Sequence, residues 1–144
     1  MNGFLGRYEY QMDGKGRVSL PAAFRRVSDD DRFVLLQWEK PYLSLFPESE
    51  WIRFRDKLIE YRKSGPGAAF HVRDIMSKAV EVTPDGQGRI LIPAWLQEAA
   101  GLDGSVLLNG NIDRVEIWDP EAYEEAVESR DEEEFGRFAR QIFG

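Results

Sequence analysis

One stretch of this 144-residue chain occurs twice without a gap, and that repetition restricts the fold more than any local propensity does. Tyr8-Glu-Tyr-Gln-Met-Asp-Gly-Lys-Gly-Arg-Val-Ser-Leu-Pro-Ala22 aligns with Val80-Glu-Val-Thr-Pro-Asp-Gly-Gln-Gly-Arg-Ile-Leu-Ile-Pro-Ala94 at a constant offset of 72. Val34–Leu36 then falls on Val106–Leu108, and Leu43, Leu45 and Phe46 fall on Val115, Ile117 and Trp118. Self-similarity at a fixed spacing means that each copy forms the same supersecondary unit, and that stacking the units completes a core neither could bury alone. The breaker-rich Ser64-Gly65-Pro66-Gly67 is the expected boundary, which gives halves of residues 1–66 and 67–144.

Within each half, Tyr8, Tyr10 and Met12, like Val80 and Val82, alternate with polar residues at the period of a half-buried strand. Asp-Gly-x-Gly then interrupts the pattern. Asp13 and Asp85 are expected to accept backbone N–H groups, and Gly14, Gly16, Gly86 and Gly88 to supply positive φ, so that the chain reverses into Arg17–Leu20 and Arg89–Ile92. Pro21 and Pro93 open short helices over 22–27 and 94–100, the second stopped by Gly101. Two further strands follow each helix, with Glu39-Lys40-Pro41 and Asn109-Gly110 as the expected turns. Trp51, Phe54, Leu58 and Tyr61 recur at three and four, which predicts an amphipathic helix over 48–63. Pro120 opens its C-terminal counterpart, and behind the Asp131–Glu134 run the stripe Phe135, Phe138, Ile142 and Phe143 needs a surface to cover.

Several function classes fall away. There is no cysteine, and His71 is the sole histidine, with no nucleophile or second ligand near it in sequence, so neither a metal site nor a cofactor is expected and the chain reads as a non-enzyme. Gly14-Lys15-Gly16 lacks the spacing of a phosphate-binding loop, and an Asp-Gly turn explains Asp13 and Asp85 without catalysis. No apolar run approaches the roughly 20 residues that span a bilayer, and the N-terminus lacks a signal-peptide core. A cytoplasmic protein with no membrane partner and no small-molecule substrate is expected. The formal charge of −7 is local: residues 119–144 carry nine acids against Arg130, Arg137 and Arg140, which leaves residues 1–118 at −1. Such a body can still present a basic face.

The repeated turn places an arginine, Arg17 or Arg89, at the start of a strand in each half. Arginine's planar fork suits phosphate oxygens or the O6 and N7 of guanine. An Asp–Arg ion pair inside each turn is the alternative, and spacing alone leaves both open. Lys15, Arg25 and Arg26 make the first half the more basic, where the second has Gln87, Gln97 and Glu98. Arg25 and Arg26 also suit a helix C-terminus, so phosphate binding and capping both stand. The tryptophans and tyrosines read as core or subunit contacts before base-stacking groups.

Phe4-Leu5-Gly6-Arg7-Tyr8-Glu9-Tyr10, Asp13-Gly-Lys-Gly-Arg17, Pro21-Ala-Ala-Phe-Arg25, Asp85-Gly-Gln-Gly-Arg89 and Asp113-Arg-Val-Glu-Ile-Trp118 together resemble the MraZ family of bacterial regulators. The resemblance implies an α+β, mainly β fold: two intertwined AbrB-like swapped-hairpin repeats in a pseudo-symmetric, barrel-like unit with flanking amphipathic helices. It implies a sequence-specific regulator that binds double-stranded DNA at repeated elements upstream of its own gene, in a cell-division and cell-wall cluster. It also implies a nucleoid-associated homo-oligomer, ring-shaped. Lys15, Arg17, Arg25, Arg26, Gln87 and Arg89 are then the DNA-binding residues, with Asp13, Gly14, Gly16, Asp85, Gly86 and Gly88 shaping the turns. An oligomeric scaffold whose acidic tail recruits a partner, or an antitoxin-like module of the same half-domain, is the alternative.

Overall fold

The structure is a computed structural model that describes residues 3–27 and 30–144. In chain order it contains β1 (Arg7–Gln11), β2 (Arg17–Ser19), α1 (Ala22–Arg25), β3 (Phe33–Leu36), β4 (Leu43–Pro47), α2 (Glu48–Tyr61), a 3-10 turn (Arg62–Ser64) and α3 (Pro66–Lys78). The second half adds β5 (Val80–Val82), β6 (Arg89–Leu91), α4 (Ala94–Ala99), β7 (Ser105–Asn111), β8 (Arg114–Trp118), α5 (Pro120–Glu128) and α6 (Glu132–Phe143). The order of elements repeats as the sequence does.

Six strands form one antiparallel sheet in the order β1-β7-β8-β4-β3-β5, and β2 pairs with β6 in a separate ribbon. The halves therefore exchange strands: β1 of the first lies on β7 of the second, and β5 of the second lies on β3 of the first. Neither half owns a complete sheet. A pseudo-twofold axis runs through the central ladder, where Ser44 faces its repeat mate Glu116, and through the ribbon, where Val18 faces Ile90. The sheet does not close into a barrel, because β1 and β5 remain its two edges.

Leu35, Leu43, Leu45, Leu108, Val115 and Ile117 of the sheet share one core with Val18 and Ile90 of the ribbon and with Leu20 and Ile92 just beyond its strands, all fully buried. Ser44 and Glu116, which alternate with Leu43, Leu45, Val115 and Ile117, are buried polar side chains on the opposite face of the sheet, and both are satisfied. The Trp38 indole N–H donates to Ser44 Oγ (3.0 Å), and the Trp118 indole N–H and Asn111 Nδ2 donate to Glu116 (3.0 and 2.9 Å). A buried carboxylate left unpaired would be costly, so these tryptophans serve the polar axis as well as the packing.

Four expectations need correction. The fold is a mixed α/β one and not mainly β, since helices hold more residues than strands. Much of the excess is α3, which begins at Pro66 with the proline in its first turn, so that the breaker cluster separates two helices instead of ending structure. Secondly, Asn109-Gly110 is no turn. β7 runs through it to Asn111, and the chain reverses at Ile112-Asp113, where Ile112 takes φ +61°. Gly110 is instead where the N-terminal segment crosses the strand: a Cβ there would lie 2.6 Å from the Leu5 nitrogen and from the Phe4 carbonyl carbon.

Thirdly, the ladders shift one element of the repeat. Tyr10 lies opposite Val106, but its mate Val82 lies opposite Phe33, so Phe33 and not Val34 occupies the place of Val106. A longer β3–β4 turn in the first half restores the original offset by β4. Finally, only the second glycine of each motif is left-handed, Gly16 at φ +86° and Gly88 at φ +75°. Gly14 and Gly86 face open space.

Candidate nucleic-acid interface

The two Asp-Gly-x-Gly-Arg turns have nearly the same internal wiring. Asp13 Oδ1 accepts the backbone N–H groups of Lys15 and Arg17, both at 2.9 Å, and Asp85 Oδ1 accepts those of Gln87 and Arg89 at the same distances. Each aspartate then uses Oδ2 for the arginine side chain: Arg17 Nε donates to Asp13 at 2.7 Å and Arg89 Nε to Asp85 at 3.0 Å. These bonds stabilise the ionised carboxyl. Led by the Arg17 backbone N–H, they hold Asp13 down to about 2 from an ordinary 3.8, and Asp85 is lowered from the same cause at Arg89.

The ribbon carries both turns to one place. Val18 and Ile90 point into the core, so the alternating neighbours Arg17, Ser19, Arg89 and Leu91 all project from the opposite, outer face. Arg17 faces Leu91 across the ladder and Arg89 faces Ser19, a diagonal arrangement in which Arg89 Nη1 comes within 3.9 Å of Asp13 Oδ2. Asp13 therefore stands between the two guanidinium groups. Only Nε of Arg17 is engaged, and among the described residues its Nη groups meet no acceptor at hydrogen-bonding distance. The Asp–Arg pair and an outward-facing arginine, open alternatives in the sequence, are both present: the pair aims the fork.

Lys15 and Gln87 sit exposed at the tips of the turns. Arg26 is exposed just beyond α1. Arg25 behaves differently from its neighbour: Nε donates to the Leu20 carbonyl at 3.2 Å, and its guanidinium lies over Gly88 of the other half's turn, where a Cβ would come within 2.7 Å of Nη1. Its repeat mate Gln97 makes the reciprocal contact, donating to the Ile92 carbonyl at 2.7 Å beside Gly16. Arg25 and Gln97, matched by the fixed offset in the sequence, thus set each short helix beside the opposite turn. What sequence reasoning passed over is their contact with the opposite turn, and Leu91, 52% exposed on the same face as the arginines.

Elsewhere, no group of three or more histidines, cysteines or carboxylates suited to a metal occurs among the described residues, and His71 is exposed on α3. Among the described residues, no helix is long and apolar enough to cross a membrane.

The fold and its paired turns define a class: a protein of two fused repeats that interleave their strands and place two matched arginine turns on one outer ribbon. Two matches identify it further. The family model described as "MraZ protein, putative antitoxin-like" matches residues 4–70 and 75–142. The chain is also similar to proteins called transcriptional regulator MraZ: 36% identical to that of Frankia alni over 96% of each chain, 36% to that of Oenococcus oeni over 85% of each, and 41% to that of Desulfitobacterium hafniense over 80% of each. This chain belongs to the MraZ family.

Proposed function

We propose that this protein is a DNA-binding regulator of transcription that reads double-stranded DNA with the outer face of the β2–β6 ribbon. The observation that carries the reading is the placement of Arg17 and Arg89 on one face, around a shared Asp13, with the Arg17 Nη pair unengaged. The naming of its relatives as transcriptional regulators supports the same reading. A two-stranded ribbon fits the major groove, where a bidentate arginine reads guanine and an apolar side chain such as Leu91 can meet a thymine methyl. Lys15 and Arg26 hold phosphates, Gln87 reads or bonds beside Arg89, and Arg25 fixes α1 against the second turn as it adds charge.

In this reading the protein acts in the cytoplasm on the nucleoid, on repeated elements upstream of its own gene in a cell-division and cell-wall cluster, as an assembly of several copies. The halves remain a swapped-hairpin pair divided near residue 66. The test is a gel-shift titration of wild type and Arg17→Ala on the native upstream fragment. Loss of specific binding by a variant with unchanged melting is expected. Equal affinity of the two proteins would remove the ribbon from the interface, and weak wild-type binding even at low salt would instead favour a scaffold or antitoxin-like role.

A further inference from the structure

A cavity of about 890 Å3 opens where the two halves meet, between the β3–β4 turn of the first and helices α3 and α4 of the second. That volume suits a small organic molecule, and a junction between two units is where such sites form. Two of its walls are tryptophans that are fixed in place and left bare. Trp38 and Trp95 are 48% and 52% exposed, yet each has its one polar atom engaged: the Trp38 indole N–H donates to Ser44 Oγ and the Trp95 indole N–H to the Lys78 carbonyl, both at 3.0 Å. A ring held at its nitrogen keeps its orientation without a ligand. Trp95 has no aromatic or cationic neighbour over its face among the described residues, and the constant offset puts Ala23 in its place in the first repeat. The fold therefore does not require an indole there.

Charges of both signs line the same cavity, and they differ in how far they are occupied. Lys78 and Asp74 pair with each other at 3.3 Å. Lys40 on the turn and Glu98 on α4 are exposed and have no ion-pair partner among the described residues. Gln37 donates its amide N–H groups to the Pro41 and Ala99 carbonyls (3.3 and 3.1 Å), which fastens the turn to the end of α4. The cavity thus offers one unpaired cation and one unpaired carboxylate around a fixed aromatic platform.

We propose that this cavity binds a guanine nucleotide, with the base stacked on Trp95, its N1–H and exocyclic amino group on the Glu98 carboxylate, and the phosphate on Lys40. A bare, oriented indole stacks any planar base. The carboxylate then selects among bases, because it accepts hydrogen bonds and donates none. Guanine offers it two adjacent donors. Adenine and cytosine place an acceptor beside their amino group, and uracil has one donor between two acceptors. Lys40 meets the phosphate as a cation with no carboxylate to give up. None of Lys15, Arg17, Arg26 and Arg89 lines the cavity, so the site is separate from the outer face of the ribbon and does not rest on the DNA-binding reading.

Equilibrium dialysis of the full-length protein against GMP, without DNA, tests it. Saturable binding is expected, with AMP roughly tenfold weaker or worse, as a site built to pair donors rejects a base that lacks them. Inorganic phosphate at equal concentration should not displace GMP. Trp95→Ala, which copies Ala23 of the first repeat, should weaken GMP roughly 5- to 150-fold, the worth of one base stack. Glu98→Gln, at an exposed side chain with no bond to lose, should remove the preference for GMP over AMP and serves alone should Trp95→Ala fail to melt cooperatively. Arg17→Ala should bind GMP as wild type does. Failure of GMP to saturate at millimolar concentration, equal affinity for AMP, or binding that Trp95→Ala and Glu98→Gln leave unchanged would each overturn the site. Loss of GMP binding in Arg17→Ala would move the nucleotide to the ribbon and overturn it as well.

Discussion

Replacing Gly110 with alanine tests how the N-terminal segment supports the arginine face. The new Cβ would meet backbone, not a flexible side chain, at 2.6 to 2.8 Å from Phe4 and Leu5, so residues 4–6 must lift away from β7. Lifting removes Phe4 from a site where it is 1% exposed and breaks three backbone bonds: Phe4 N–H to Ile112 O, Ile112 N–H to Phe4 O, and Gly110 N–H to Gly6 O. Removing a buried phenylalanine costs about 3–5 kcal/mol, and each bond contributes roughly 0.5–1.5 kcal/mol. Residues 4–6 regain about 1–2 kcal/mol each, which leaves a net loss of roughly 2.5 kcal/mol from the middle of each range.

Urea unfolding of wild type, Gly110→Ala, Phe4→Ala and the double variant measures this as a cycle. In the Gly110→Ala background Phe4 is already out of its site, so Phe4→Ala should cost under about 1 kcal/mol there. Phe4 also meets Phe24 of α1 edge-on at 5.7 Å, so Gly110→Ala should weaken DNA binding through a less firmly held Arg25-Arg26. A Gly110→Ala cost below about 0.5 kcal/mol, or single costs that simply add, would refute the clamped-segment account.

Two other outcomes follow from the turns. Because the folded state holds the Asp13 carboxyl at about 2, below its ordinary 3.8, this group stabilises the fold above that ordinary value and ceases to as pH falls through the folded one. Asp13→Asn should therefore flatten the loss of urea midpoint between about pH 4 and pH 2 relative to wild type, and identical slopes would show that the turn gains nothing from ionisation. The adjacent arginines should separate: Arg25→Ala loses the bond to Leu20 and lowers stability by about 1 kcal/mol, whereas Arg26→Ala leaves melting unchanged and reduces the salt slope of DNA affinity by about 1. Equal stability effects in thermal melts would contradict the distinct placements.

The repeat made much of this fold legible before any coordinates, because a constant offset reports equivalent places without reference to what surrounds them. Strands β1, β2, β5 and β6 and both turns follow from alternation and from Asp-Gly chemistry that is local. What stayed hidden is set by distant chain. Asn109-Gly110 has the chemistry of a tight turn, but Phe4 and Leu5, over a hundred residues earlier, need the space over Gly110. The α3 helix was obscured because Gly65-Pro66-Gly67 marks a start as readily as an end. At the candidate interface, Arg17 and Arg89 were nominated by spacing, but the shared Asp13 and the crossing of Arg25 onto Gly88 depend on strand exchange, which adjacent residues do not encode.

That interleaving bears on how such a protein can diverge. A single repeat completing its sheet with an identical chain would present two identical turns, and any change in one would appear in both. Joined through α2 and α3, each repeat meets its counterpart at a concentration fixed by the linker, independent of how much protein the cell makes. One copy is thereby released from matching the other, and the lysine of the first turn can stand opposite the glutamine of the second.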